Sequence, residues 1–242
     1  MTLRSGRLPV VGTCVVIGGG ADGAFYVRQL ARARAAGRLD WQRVHVVDRD
    51  PHCAVSRLPP DPRVKVWGAT WDEWLDGQLE GLTPQDYLVP YHWAPHLLLD
   101  WLAGQVRHAG GHAERVPLVA GAPAVPFDRA TAAGDRAVSY ATWACPPRCI
   151  EPDLCPHTRG PRDWSLIDAL LAGALNDASE ERIVWRCLHL AYGVAGIPVG
   201  ELLRARDRVL ATLDRGPRRY LVATASHCHG LAAGLAVSPG AP

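Results

Sequence analysis

Apolar and polar positions along the chain alternate in short blocks with two different periods. Thr13–Ile17 is a short apolar run that stops at Gly18-Gly19-Gly20, the pattern of a buried strand closed by a turn. Ala21–Ala36 follows, with Val27, Leu30 and Arg34 on one face and Gly37 as a stop, which predicts a helix. Arg43–Val47 and Arg63–Trp67 predict a second and a third strand. Trp71–Leu79 predicts a helix, Asp86–Val89 a fourth strand ended by Pro90, and Pro95–His108 a helix with Leu98, Leu102 and Val106 along its apolar side. Strand and helix thus alternate up to about residue 110 at the spacing of strand–helix–strand units, which predicts a parallel sheet.

Gly110–Gly134 is rich in Gly, Ala and Pro and reads as an irregular connection with one strand at Glu114–Val119. Beyond it come a strand at Ala137–Ala144, a loop dense in Pro and Cys at Cys145–Pro161, and a helix from Asp163 to Leu175. A strand at Arg182–Leu190, a helix at Val199–Leu213 and a strand at Arg219–Thr224 follow. The chain ends with Ser226-His227-Cys228-His229-Gly230 and a small-residue helix or coil. The expected fold is α/β: a doubly wound, mainly parallel, Rossmann-like sheet with a Cys/Pro-rich loop inserted in its second half. Residues 1–110 are expected to form a dinucleotide-binding half. Residues 111–242 are expected to form a second α/β half, with the Cys-rich loop at 145–161, continuing the same sheet.

Composition narrows the function classes. Apolar residues make up 48% of the 242, enough for a packed core. A formal charge of +2 gives no global attraction to nucleic acid or to an anionic membrane. Lys65 is the only lysine. No Gly-Lys pair exists for a P-loop, and the one candidate for Schiff-base chemistry lies in a predicted strand. The longest apolar runs, His96–Gly104 and Gly230–Val237, are too short to cross a bilayer. The run after Arg4 and Arg7 is the first strand rather than the apolar stretch of a leader. The expectation is a soluble, cytoplasmic chain. No nucleophile elbow, H-E-x-x-H, EF-hand loop or basic tract is present.

Val15-Val16-Ile17-Gly18-Gly19-Gly20-Ala21-Asp22-Gly23 satisfies G-x-G-x-x-G between a predicted strand and a predicted helix. In that pattern Gly18 allows the tight turn, Gly20 lets the backbone approach a pyrophosphate, and Gly23 lets helix and strand pack closely. The helix N-terminus, with Gly19 in the same turn, then offers N–H groups to phosphate. The next strand ends in Asp48, 25 residues after Gly23. A carboxylate there can accept both ribose hydroxyls, which favours NAD(H) over NADP(H). Arg49 beside it works the other way, since it could meet a 2′-phosphate. S-adenosylmethionine enzymes usually carry an acidic residue just before the glycines, and Thr13–Ile17 has none. The bland alternative is a turn of the same shape that binds nothing.

Gly18–Gly23, Val46-Val47-Asp48-Arg49-Asp50, Val66-Trp67-Gly68-Ala69-Thr70 and Asp86-Tyr87-Leu88-Val89-Pro90 together resemble the NAD-binding domain of TrkA and related potassium-conductance regulators. The resemblance covers about the first 90 residues and implies the fold and dinucleotide binding at Gly18, Gly20, Gly23 and Asp48. Ala69 stands where that family usually has an acidic residue. No regulatory ligand domain of the family follows, so potassium regulation is not implied.

Cys145, Cys149, Cys155 and His157 fall in a 13-residue window stiffened by prolines, which lowers the entropy lost when ligands converge on one ion. Cys228 follows another strand. Both segments are expected at the sheet edge that carries the glycine turn, where four thiolates, or three and His157, would suit zinc or an iron–sulfur cluster. The spacing C-x3-C-x5-C belongs to no common zinc or ferredoxin motif and leaves the two undecided. The alternative is a surface loop of free or redox-active thiols. Cys14, Cys53 and Cys187 read as small core residues. His92 and His96, after the fourth strand, are candidates for acid–base work or nicotinamide contact, or serve the helix start. Trp67, Trp71 and Trp74 fit a stacking patch or core packing.

Together these features point to an NAD(P)-dependent oxidoreductase or redox protein with a cysteine-ligated centre. Its partners would be a small-molecule substrate or a redox protein, with no nucleic acid and no membrane insertion. The competing readings are a non-catalytic NAD, redox or metal sensor of TrkA type, and a structural Rossmann domain with a zinc staple. No residue is assigned as catalytic, and the substrate is not named by any sequence feature.

Overall fold

The computed structural model describes residues 10–90, 96–118, 125–146, 149–173 and 181–240. Four strands, β1 (Val10–Ile17), β2 (Asp40–Asp48), β3 (Val64–Gly68) and β4 (Tyr87–Val89), lie parallel in the order β3-β2-β1-β4. Helix α1 (Ala21–Ala35) packs on one face of this sheet through Ala24, Val27, Leu30 and Ala33. It stops where the sequence places Gly37. That residue has φ +59, with Gly37 N–H bonded to Arg34 O and Arg38 N–H to Ala33 O, a Schellman ending that a glycine makes inexpensive. Helix α2 (Trp71–Gln78) lies on the other face. It starts at a capping box in which Thr70 and Glu73 satisfy each other's backbone N–H groups.

Helix α3 (Leu97–His108) leads away from this sheet into β5 (His112–Val116), β6 (Phe127–Ala130), β7 (Arg136–Ser139), α4 (Leu166–Leu171) and β8 (Glu181–Arg186). The chain then crosses back at Cys187 into β9 (Leu188–Ala191) and β10 (Val194–Pro198), which extend the first sheet antiparallel beside β4. Helix α5 (Val199–Leu210), β11 (Arg218–Ala225) and β12 (His229–Ser238) complete the fold. The second sheet has the order β6-β7-β12-β11-β8, and β5 also pairs with β12. Only β8–β11 is parallel in it.

The expected α/β class holds, and two parts of the expectation are corrected. The sheets are mixed rather than mainly parallel, and the second half builds a second sheet while adding only β9 and β10 to the first. The reason is local. The Arg182–Leu190 strand is split, because Cys187 N–H bonds Ala225 O as the last rung on β11 while the following residues pair with β10. The small-residue tail is not a helix but β12, the centre of the second sheet, where Ala232 and Ala233 are fully buried.

Helices α2, α3 and α5 fill the space between the two sheets. Val15 and Ile17 of β1, Leu98 and Leu102 of α3, Leu202 of α5, and Tyr220 and Leu235 of the second sheet belong to one continuous core. Helix α4 covers the far face of the second sheet through Leu166 and Leu170. No described helix is long and apolar enough to cross a membrane.

Candidate functional site

The glycine turn closes β1 at the point where the strand order reverses, between β1 and β4. Gly18 has φ +86, a conformation that favours glycine, and its N–H bonds Val47 O at 2.9 Å. Gly19 N–H donates to Asp48 Oδ2 at 2.7 Å, and Asp50 N–H to Asp48 Oδ1 at 2.9 Å. A side chain on Gly19 would fall 2.3 Å from Cys53 Sγ, and one on Gly23 2.0 Å from Gly18 O. Gly20 differs from all three. Its φ is −66, and nothing lies within 4 Å of where its Cβ would be. Nothing inside the protein requires a glycine there, and no side chain caps α1 at that end. Asp22, in the first turn of α1, adds a negative charge that the sequence pattern did not weigh.

The cysteine loop folds as a knuckle around Cys155. Cys155 N–H bonds Gly160 O, Arg159 N–H bonds Cys155 O, and Leu154 pairs with Pro161. Its sulfur accepts the Thr158 N–H first, then the His157 N–H, the Thr158 hydroxyl and Arg162. Together they outweigh burial and bring the thiol down to about 7. Cys228 sits in the turn between β11 and β12, is buried, and accepts Trp164 Nε1–H at 3.3 Å. Burial pushes its thiol up, against the pull of Trp164 and Arg162. Arg162 Nη2 lies 3.8 Å from Cys149 Sγ. Cys145 is raised by burial and then by Cys149, Cys228 and Cys155. Cys145 therefore stands within electrostatic reach of the other three thiols named from the sequence, and those three act on one guanidinium, that of Arg162. Arg162 Nε and Nη1 are buried without a hydrogen-bond partner. His157 is exposed, its ring stacked on Trp143 at 4.5 Å. Among the described residues, no group of three or more His, Cys, Asp or Glu is already set to hold a metal ion.

Arg162, Glu151 and His229 complete the site, and sequence reasoning assigned none of them a role. Glu151, with φ +50, accepts His227 N–H at 2.9 Å and acts electrostatically on Cys187, His189, Cys228 and His229. Cys187, its thiol raised to about 12 by burial and then by Glu151, acts in turn on Tyr26 of α1. Through these neighbours the cysteine loop comes within reach of the helix that begins at the glycine turn, although with Cys187 raised to about 12 its thiol is neutral at physiological pH and the step to Tyr26 carries no charge. Ser139 Oγ donates to Ala141 O at 2.9 Å and lies 3.1 Å from His229 Nδ1. The only available signal was the density of His and Cys in 226–230.

The other candidates take structural places. Cys14 and Cys53 are buried, and burial followed by Asp86 raises Cys14 to about 12. His96 lies at the start of α3, with Nε2 3.3 Å from Asp135 Oδ2, which Arg115 also approaches at 3.4 Å. Burial, then Arg115, pushes the imidazole down to about 3, so the contact holds a neutral ring rather than an ion pair. His92 lies outside the described residues.

Residues 95–238 match the family AF_1314_C, described as "Uncharacterized protein, C-terminal domain". No curated protein and no solved structure matches the chain. The matched stretch holds α3, the whole second sheet and every cysteine of the loop, and leaves out the glycine turn. It spans more than half of the sequence, so the chain belongs to this family of C-terminal domains.

Proposed function

We propose that this protein is a dinucleotide-binding redox protein, an NAD(P)-dependent oxidoreductase or electron carrier, whose cysteine-ligated metal centre stands at the same end of the molecule as the nucleotide. The observation that carries the reading is the buried guanidinium of Arg162. Two of its nitrogens have no partner, Cys149, Cys155 and Cys228 act on it, and Cys145 lies within electrostatic reach of those three thiols. A cation with only the partly ionised Cys155 thiol for counter-charge would be poorly satisfied. The same cation beside four metal-bound thiolates, which carry net negative charge, is compensated. The donor set suits zinc or an iron–sulfur cluster. Binding would draw the sulfurs in to ligand distance and remove their mutual repulsion.

The nucleotide fits the first sheet. Gly20 leaves a gap at the N-terminus of α1 that a pyrophosphate would fill. Each Asp48 oxygen accepts one N–H and keeps lone-pair capacity for a ribose hydroxyl. The parallel order β3-β2-β1-β4 agrees with the TrkA-like resemblance of the first 90 residues. NAD(H) is the favoured form, because the Asp48 charge opposes a 2′-phosphate. Bound NAD would supply hydride chemistry. The chain's own part would be to hold and orient it through the glycine turn and Asp48.

A second reading, a zinc staple without redox chemistry, is favoured by the burial of Cys155 and Cys228, since closed four-thiolate sites are structural. Elemental analysis and absorption of anaerobically purified protein separate the two. A cluster absorbs near ~400 nm and bleaches on reduction, whereas zinc is colourless. Less than about one zinc per two chains, with iron and sulfide equally absent, sinks both and leaves a thiol loop. If metal is present, Cys149→Ser loses it and Cys14→Ser keeps it.

A further inference from the structure

At the opposite edge of the first sheet from the glycine turn, a cleft of about 580 Å3 opens between the start of β1 and β2 and the end of α2. Through Gln42, Arg43 and His45 it runs on into a smaller one of about 410 Å3 against the edge strand β3. Both fall in the size range of small-molecule sites, roughly 300–1,000 Å3.

The wall is one-sided in charge. Arg43 and Lys65 are exposed, and no ion pair involves either among the described residues. Arg63, at the rim, is paired with Asp61 at 2.7 Å. Lys65 Nζ sits 3.4 Å from the centroid of the Trp67 ring. His45 faces Lys65 across the parallel register. Burial first, then Lys65 and Arg43, push its imidazole down, against a weaker pull from Asp86. Like charges placed side by side on neighbouring strands repel, and an anion between them removes that repulsion. Asp86 is the one acidic residue of the lining, and it is already engaged by Thr13 N–H at 2.5 Å and Thr83 N–H at 2.7 Å.

The wall also holds polar atoms with nothing to bond. Trp74 is 2% exposed, yet its Nε1–H has no acceptor, and Trp67 Nε1 and His45 Nδ1 are likewise without a partner. The three rings stand edge-on to one another, 5.6 to 6.3 Å apart. Buried ring nitrogens are normally satisfied. The three lie just behind the wall of the basic cleft, and a small turn of the rings would bring them to acceptor atoms from outside the chain.

We propose that this cleft is a second ligand site, separate from the glycine turn. It takes a small anionic metabolite whose phosphate or carboxylate group sits between Arg43 and Lys65 and whose other acceptor atoms meet the Trp74 and Trp67 indoles. A site on this edge of the sheet suits an effector rather than a second substrate, because it lies at the other end of β1 and β2 from the glycine turn.

Calorimetry and tryptophan fluorescence on the full chain test this, with inorganic pyrophosphate and citrate as probes at physiological ionic strength. Titrations use the Gly20→Asp protein, in which the glycine turn is blocked, so failure at one site is not read as failure at the other. At least one probe should bind saturably, and which of them does so separates phosphate from carboxylate ligands. Arg43→Gln and Lys65→Gln should each weaken that binding about tenfold or more. Both residues are exposed, and a matching thermal midpoint shows that these variants fold. Trp74→Phe, which keeps the ring and removes the N–H, should weaken it too. Binding of neither probe at millimolar concentration, or affinity unchanged in both Arg43→Gln and Lys65→Gln, overturns the proposal.

Discussion

Gly20 is the residue where structure and function separate most cleanly. Gly18, Gly19 and Gly23 are each explained by backbone conformation or by a neighbour too close for a side chain, so changing them tests the fold as much as the ligand. A side chain at Gly20 meets nothing, and that residue is also the N-cap of α1. Aspartate is among the best N-caps. Gly20→Asp should therefore melt at or slightly above the wild-type temperature. Its carboxylate would nevertheless occupy and repel the pyrophosphate position, and NAD binding should fall at least about a hundredfold, roughly 2.7 kcal/mol. Calorimetry and a melting curve on one sample decide it. Equal NAD affinity in both proteins would reject the glycine turn as a nucleotide site. This residue was legible in the sequence, because the motif carries the physical reason for each glycine. Arg162 was not. Nothing in a lone arginine after a proline tells that a folded loop will bury two of its nitrogens among sulfurs.

Elements were legible in proportion to how far local pattern decides them. The glycine stop of α1 and the start of α2 at Trp71 stand where the pattern puts them, and the capping box that holds the latter is made by neighbouring residues. Strand β12 was hidden because its run of Gly and Ala carries no alternation. Its identity comes in part from partners distant in sequence, β5 more than a hundred residues away and β7 ninety or more. There Gly234 lies so close to β5 that a Cβ would stand 2.6 Å from Val116 O. Gly234→Ala should part the two strands and destabilise the protein by about 1–3 kcal/mol, read as a lower denaturant midpoint, whereas Gly77→Ala, in open space on α2, should not destabilise it. The start of α3 gives a pH test. His96 has a folded value near 3 against an ordinary 6.5, so below pH 6.5 the unfolded chain takes up a proton that the folded one refuses. Its contribution is full above pH 6.5 and is lost as pH falls toward 3, by a few kcal/mol at most. Asp135, raised by burial, offsets part of it. Denaturant midpoints of His96→Gln should fall less steeply than wild type over that window. An identical slope would mean that His96 is protonated in the fold.

At the scale of the whole molecule, the question is whether the two halves work as one. Pattern alone placed the glycine turn and the cysteine loop at one sheet edge. That premise changes once there are two sheets, and the residues that could link the halves are different ones. The chain crosses between the sheets at Cys187, and Glu151, Cys187 and Tyr26 then lie in sequence between the thiols and α1. If this line carries energy, metal and nucleotide must influence each other equally, since coupling between binding sites is reciprocal. Metal-free protein should bind NAD about fivefold or more weakly than loaded protein, and saturating NAD should strengthen metal retention against a chelator by the same factor. Glu151→Gln keeps an oxygen to accept the His227 N–H but removes the charge that acts on Cys187 and Cys228. It should retain the metal and lose most of the difference in NAD affinity. Tyr26→Phe, at the far end of the line, should do the same with the cysteine loop untouched. If NAD binds loaded and metal-free protein equally, the two centres are independent. The zinc would then staple the second sheet while the first binds its nucleotide alone.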